Sequence, residues 1–250
     1  MIVVKITGKI ENQMFQYATA RALSLRLGTD LFLELSKLEQ NPLWLEHFNI
    51  VAQQKHFDVK LNLVKEIREV FDLRMFSIPD NSFLDGNFNF EKYFHDQAEQ
   101  IRREFTLKNP ISEENLKWEY KIRSEPIPIS IHIPRRESDS VSLKYFDRCV
   151  EILKANFPNL SIYVFTNDIS WCTQNIQFST PTNFIDSSSK PHEEIFLMNL
   201  CKHHVISDSI MSFWGAWLDS RDSSLVLIPS EYIRKPYADK HREFVPARWM

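Results

Sequence analysis

The chain opens with a strand, a helix and a second strand in immediate succession, and that unit constrains everything after it. "IVVKITG" (2–8) is a run of apolar and β-branched residues without alternation, the pattern of a strand covered on both faces. "NQMFQYATARALSLRLG" (12–28) puts Met14, Phe15, Ala18, Ala22 and Leu25 on one helical face, and Gly28 stops it. "TDLFLEL" (29–35) is the next strand. Strands joined through a helix run parallel with a right-handed crossover, and such a sheet needs helices on its faces. The chain is therefore committed to an α/β architecture.

Between Ser36 and Ser82 the pattern loosens, with "PLWLEHFNI" and "VKEIREVFDL" reading as short helical pieces. "SFLDG" (82–86) is a strand with a polar exit, and "FEKYFHDQAEQIRREFTL" (90–107) predicts one long amphipathic helix. The polar, proline-punctuated stretch 108–128 reads as an interdomain linker. Beyond it strands "IPISIHI", "SIYVFTND", "TNFID", "VISD" and "SLVLIP" alternate with helices "LKYFDRCVEILKANFPN", "ISWCTQNI", "PHEEIFLMNLCKHH" and "MSFWGAWLD". The expectation is two Rossmann-like lobes over 1–125 and 126–235, a cleft between them, and a tail over 236–250 that packs back. Ligands of such sheets bind beyond the carboxyl ends of the strands.

Composition narrows the ligand chemistry. With only Gly8, Gly28, Gly86 and Gly215, the chain has no Gly-rich phosphate loop of the G-x-G-x-x-G or Walker type. A bound phosphate must then be held by arginines, hydroxyls and helix N-termini. A net charge of −3 gives no broad attraction to nucleic acid. Cys149, Cys172 and Cys201 are odd in number and set among apolar residues, against a disulfide framework or a zinc site. No basic-then-apolar leader and no membrane-length apolar run occur. The expected location is cytoplasmic, with at most a peripheral contact at the inner membrane face.

Three strand ends carry candidate chemistry. In "SIHIPRRE" (130–137), Arg135 and Arg136 follow a strand, and guanidiniums grip phosphate oxygens bidentately. They can equally pair with Glu137 and Asp139 in a solvated turn. His132 can face a base or a pyrophosphate, or be structural. In "YVFTND", the Asp168 carboxylate can accept the paired N–H donors of guanine or cap the helix that follows. In "SDSIMSFWGAWL", Ser209 and Ser212 stand where a strand becomes a helix, as anion ligands or as caps. No D-x-D pair occurs, and the His203–His204 pair lacks an evident third ligand, so no metal is expected.

Taken together these stretches resemble glycosyltransferase family 11, the α-1,2-fucosyltransferases. "ENQMFQYATARALSLRLG" resembles the family's N-terminal G-G-L-G-N-Q-M-F-Q-Y-A helix, and "FLDGNFNFEKYF" its L-D-G-Y-W-Q-S-E-K-Y-F segment. "YVFTNDISWC" is similar to F-S-D-D-x-x-W. "EEIFLMNLCKHHVISDSIMSFWGAWL" is similar to the long E-D-x-Y-L-M-S-L-C-K-H segment that ends in S-W-W-G-A-W-L. The resemblance implies a GT-B fold, a GDP-sugar donor in the C-terminal lobe, an inverting mechanism and no essential metal or other cofactor. It implies that His132 and Asp168 address guanine, and that Arg135, Arg136, Ser209 and Ser212 address the diphosphate. Asn12, Gln13 and Asp85 would face the cleft, with the acceptor nearby.

The chain departs from the family at two of these places. H-x-R-R-G-D is His132-Ile133-Pro134-Arg135-Arg136-Glu137, so either proline replaces the first arginine or it is an insertion before the pair. G-G-L-G-N-Q is Gly8-Lys9-Ile10-Glu11-Asn12-Gln13. Arg135 with Glu137 and Glu11 are the catalytic candidates, the two carboxylates as bases for the acceptor hydroxyl. The implied reaction moves L-fucose from GDP-fucose to a hydroxyl, O2 of galactose, on a glycan or lipid-linked oligosaccharide. Alternatives are another GDP-deoxysugar such as GDP-colitose, or a catalytically silent nucleotide- or glycan-binding homologue.

Overall fold

Two separate five-stranded sheets, every neighbouring pair in them parallel, organise the computed structural model of the 250-residue chain. The structure describes residues 1–38, 41–54, 60–67, 70–134, 141–186, 190–229 and 245–249. Contacts divide the chain into two compact units, the first holding Met1–Asn109 and the second starting at Pro110.

In the first unit, β1 (Ile2–Lys5), β2 (Leu31–Glu34), β3 (Gln53–Gln54), β4 (Asn62–Lys65) and β5 (Ser82–Asp85) lie in the order β3-β2-β1-β5-β4. The helix α1 (Ile10–Leu27) crosses from β1 to β2 and ends as its glycine predicts. Gly28 is left-handed at φ 63°, and the Gly28 and Thr29 N–H groups donate to the Leu25 and Ser24 carbonyls. α1 is buried nearly all round, polar Gln13, Gln16, Thr19 and Ser24 included. One of its anchors is ionic: Tyr17 donates to Glu104 Oε2 at 2.5 Å, and Arg21 Nη2 reaches Glu104 Oε1 at 2.8 Å. Burial and the Glu104 carboxylate together push the Tyr17 phenol well above its ordinary range.

Two expectations fail in this unit. The segment read as helical from Val64 instead starts inside β4, because edge pairing with β5 outweighs a weak helical period. The long helix expected over 90–107 shrinks to α2 (Ala98–Glu104), preceded by 3-10 turns at Glu91–Tyr93 and His95–Gln97. Its aromatic residues fold inward instead, with Phe71 and Tyr93 stacked at 5.0 Å and Phe90 edge-on to Tyr93.

The second unit holds α3 (Glu113–Ser124), β6 (Ile127–His132), α4 (Leu143–Asn156), β7 (Leu160–Thr166), α5 (Ile169–Asn175) and β8 (Thr182–Asp186). It continues with α6 (Pro191–Leu200), β9 (His203–Val205), α7 (Ile210–Trp217) and β10 (Val226–Leu227). The sheet order is β10-β9-β6-β7-β8. The stretch read as a linker is largely the helix α3, fixed to α6 by Glu193. That buried carboxylate accepts from Ser112 N at 3.0 Å, Ser112 Oγ at 2.7 Å and Asn115 Nδ2 at 2.6 Å. The unit boundary accordingly falls after Asn109, ahead of the 125/126 division read from the sequence. Of the expected tail, residues 236–244 and 250 lie outside the described residues, while Trp249 packs edge-on against Phe213 at 5.4 Å.

One face of this sheet is apolar, with Ile129, Ile131, Ile162 and Val164 packed against Cys149 and Leu153 of α4. The alternate residues of the same strands form a buried polar chain on the other face. Ser130 Oγ lies 2.7 Å from His204 Nδ1, and His204 Nε2 lies 3.1 Å from Asp219 Oδ2. Arg221 Nε donates to Asp219 Oδ1 at 2.7 Å and Nη2 to the Cys201 carbonyl. Burial raises the Asp219 carboxyl, but the His204 and Arg221 hydrogen bonds outweigh it and hold the group well below the usual carboxylate range. The Ser–His–Asp order is not a nucleophilic triad: all three side chains are sealed in the core, where no substrate reaches. His203 and His204 belong to β9, not to the end of the helix before it.

Candidate active site

In each sheet the strand order reverses beside its first strand. β6 has β7 on one side and β9 on the other, so the crevice at the carboxyl ends of β6 and β9 is the topological switch point. His132 ends β6, and Ser207–Ser209 follow β9.

His132 is 5% exposed and points to the α6 face, where its Nε2 lies 3.4 Å from Glu194 Oε1. Glu194, in the first turn of α6, is equally buried and is a site residue the sequence reading missed. Its only sequence signal is a pair of acids just after Pro191, which reads as ordinary dipole complementation at a helix start. Asp168 caps α5, its Oδ1 accepting from Trp171 N at 2.9 Å, so the capping alternative is the one this structure realises. Ser209 is the N-cap residue of α7 and Ser212 lies in its first turn, both essentially buried. Ser212 Oγ lies 2.7 Å from the Ser209 carbonyl and 3.3 Å from Ser207 N, which braces the turn from within. Arg135, Arg136 and Glu137 lie outside the described residues.

Two cavities flank these strand ends. One of about 130 Å³ lies on the α4/α5 side, lined by Ile133, Pro134, Phe146, Trp171, Ser207 and Asp208 among others. The other, about 200 Å³, lies between α3, the end of β8 and the start of α6, and Glu194 forms part of its wall.

The first unit repeats the arrangement at the ends of β1 and β5. Gly8 is left-handed at φ 75°, a conformation that residues with a Cβ rarely adopt, and a Cβ there would lie 2.8 Å from Asn12 Nδ2. Gln13 is fully buried. Its Nε2 donates to the Gly8 and Pro42 carbonyls, both at 2.9 Å, and its Oε1 accepts from Trp44 N at 2.9 Å. That side chain shapes the loop. Asp85 forms an ion pair with Lys5 at 3.0 Å, and Glu11 sits partly exposed in the first turn of α1. Phe88 is held at φ 53°, a strained value for a bulky residue, while Glu66 Oε2 accepts from Asn87 N at 2.7 Å and Phe88 N at 3.1 Å. A cavity of about 500 Å³ lies beside this loop, lined in part by Glu66, Phe71, Arg74 and Tyr93.

Among the described residues no group of three or more His, Cys, Asp or Glu side chains could hold a metal ion. No helix among them is long and apolar enough to cross a membrane.

Two parallel Rossmann-like sheets, each with candidate residues at its switch point, are the architecture of the GT-B type. The particular assignment follows from comparison: residues 1–250 match the family described as Glycosyl transferase family 11, and the chain belongs to that family. An Escherichia coli α-1,2-colitosyltransferase is 27% identical, the match covering 100% of this chain and 98% of that one. A rabbit (Oryctolagus cuniculus) galactoside α-(1,2)-fucosyltransferase 1 is 28% identical over 58% of this chain and 46% of its own length. The fold is that of the fucosyltransferase NodZ from Bradyrhizobium, with a TM-score of 0.57 at 12% identity, covering 86% of this chain and 92% of that one. Arabidopsis thaliana FUT1 in complex with GDP has a TM-score of 0.54 at 9% identity, covering 90% and 69%.

Proposed function

We propose that the chain is an inverting glycosyltransferase that moves a deoxyhexose from its GDP-sugar to a hydroxyl, O2 of a galactose unit, of a glycan or lipid-linked acceptor. The observation that carries this reading is the gathering of His132, Glu194, Asp168 and the Ser207–Ser212 turn at the carboxyl ends of one glycine-poor sheet. In the reaction the acceptor oxygen forms a bond to C1 of the sugar as the C1–phosphate oxygen bond breaks, through an oxocarbenium-like state. GDP leaves with the bonding pair, and the hydroxyl proton passes to a carboxylate, for which Glu11 and Glu137 are the candidates. The developing diphosphate charge is assigned to Arg135, Arg136 and the N–H groups at the start of α7, with no metal or other cofactor.

L-Fucose is the first reading of the sugar. Colitose is the second, supported by the colitosyltransferase relative whose match runs the whole length of both chains. Purified protein is incubated with a lactose-type acceptor and either GDP-fucose or GDP-colitose, and the disaccharide product is assayed. Transfer from one donor and not the other selects the sugar. GDP binding without turnover favours the silent homologue, and absence of any GDP-dependent rise in melting temperature overturns the nucleotide reading altogether. Arg135→Ala is expected to weaken GDP binding by roughly 10- to 100-fold, since hydrogen bonds to charged groups are worth roughly 1.5–3 kcal/mol each. Unchanged affinity in the variant would remove Arg135 from the site.

A further inference from the structure

Past β5 the chain makes a turn that its own backbone does not favour. Phe88 sits at φ 53° with its ring sealed in the core, and a bulky residue holds that value only where its surroundings impose it. Resting on the acceptor reading above, we propose that this turn presents Asn87 to the acceptor sugar as a specificity-determining residue. Glu66, just past the end of β4, is the positioning residue that holds it there.

Three observations converge on Glu66. Its Oε2 accepts from the N–H groups of both Asn87 and Phe88, at 2.7 and 3.1 Å, so one carboxylate oxygen fixes two successive residues of the turn. Glu66 N donates to the Asp85 carbonyl at 2.9 Å, which carries the β4–β5 pairing one residue past the strand. A Cβ on Gly86 would lie 2.4 Å from Glu66 Cβ, so the turn approaches this side chain as closely as glycine allows. The Phe88 ring, edge-on to Tyr93 at 6.4 Å, is the second anchor.

This clamping brings Asn87 to the switch point of the first sheet. Its side chain is half-buried, with Oδ1 3.5 Å from Gln16 Nε2. Gln16 is itself fixed, its Nε2 donating to Thr7 Oγ1 and its Oε1 accepting from Thr7 N, both at 3.0 Å. Thr7 follows β1 and Asn87 follows β5, so the contact spans the ends of two strands beside which the order reverses. Open parallel sheets bind ligands there. With Oδ1 toward Gln16, the amide Nδ2 carries two donors suited to sugar hydroxyl oxygens. Two residues on, the Asn89 amide oxygen is buried with no donor among the described residues, a cost that a turn shaped for stability alone would avoid. The family segment L-D-G-Y-W-Q has tyrosine where this chain has Asn87. A short amide in place of a phenol ring changes both the room and the hydrogen bonding offered to the acceptor.

The test measures transfer to lactose, with GDP-fucose or GDP-colitose at saturation, for the full chain, Asn87→Ala, Glu66→Ala and Glu66→Gln. Thermal unfolding checks that each variant is folded, and calorimetry measures its GDP affinity. Asn87→Ala is expected to raise the KM for lactose about tenfold with less than a twofold effect on GDP affinity. Glu66→Ala reproduces that loss. Glu66→Gln recovers most of it, because the amide oxygen still accepts both N–H groups while a role for the charge is removed. Wild-type KM for lactose in folded Asn87→Ala or Glu66→Ala overturns the proposal and leaves the transferase reading standing. So does a Glu66→Gln variant as impaired as Glu66→Ala. If Glu66→Ala does not fold, Asn87→Ala and Glu66→Gln decide the matter. Absence of transfer to lactose by wild type from either donor overturns both readings.

Discussion

At the scale of single residues, neighbours in sequence have opposite duties. His204 joins the buried Ser130–Asp219 chain, whereas His203 faces the other way, stacked on Phe157 at 4.1 Å and accepting from Leu225 N at 3.0 Å. Burial, helped by His204 and Arg221 nearby, lowers the His203 imidazole from 6.5 to about 4. The unfolded chain therefore takes a proton below pH 6.5 that the folded chain refuses until about pH 4. The His203 contribution to stability is complete above pH 6.5 and is lost as pH falls toward 4, to a total of about 3 kcal/mol. Urea unfolding of wild type and His203→Gln at pH 7 and pH 4.5 checks it. The variant is expected to lose about 2 kcal/mol less on acidification, and equal losses would mean that the imidazole is charged in the fold. None of this was visible in "KHHV", because only the period-two alternation of a strand separates the two rings, and the pair looked like the end of a helix. Asp168 was legible as either ligand or cap, and the helix N–H three residues on decided between them.

Among elements, α6 and α7 meet at Gly215. A Cβ there would lie 2.7 Å from Met198 Cβ and 3.1 Å from both Met198 Sδ and Cε. The near atom is the root of the side chain, so rotation of Met198 cannot relieve the contact. Gly215→Ala gains up to about 1 kcal/mol in helix propensity but overpacks the joint at a cost of roughly 1–3 kcal/mol. The net expectation is a lower melting temperature, by about 2–4 °C for each kcal/mol lost, and a rise would show that the helices can move apart. Elements with strong apolar patterns were legible, β1, α1, β6 and β7 above all, because fully buried strands need continuous apolar runs. α3 and β4 were not. α3 is mostly exposed and held by polar clasps to Glu193, and β4 is an edge strand with three of its four residues exposed. Neither carries a hydrophobic signature for pattern reading to find.

Across the whole molecule, the two units share a plan but not a strand order: the first three strands grow to one side, and the last two return to the other flank of the first strand, as β5 then β4 in one unit and β9 then β10 in the other. A chain ending at Leu200 keeps β6 through β8 but lacks β9, leaving one edge of β6 without the partners of Ile129, Ser130 and Ile131. Such a truncation is expected to bind a hydrophobic dye and precipitate, whereas a chain ending at Pro229 retains the complete sheet. A soluble, dye-negative product ending at Leu200 would show that the pairing with β9 is dispensable. The candidate site was legible where it followed strand ends, at His132 and the Ser207–Ser212 turn. It was illegible where it depended on Glu194 and α3, which reach it only through tertiary packing.

The return of β9 to the flank of β6 also sets a schedule during synthesis. Roughly 70 residues separate the two strands, so at roughly 5–20 residues per second the ribosome spends several seconds with β6 made and its partner still unmade. Through that interval the nascent chain carries an open, strongly apolar strand border, and its safe passage depends on whatever shields that border until β9 emerges.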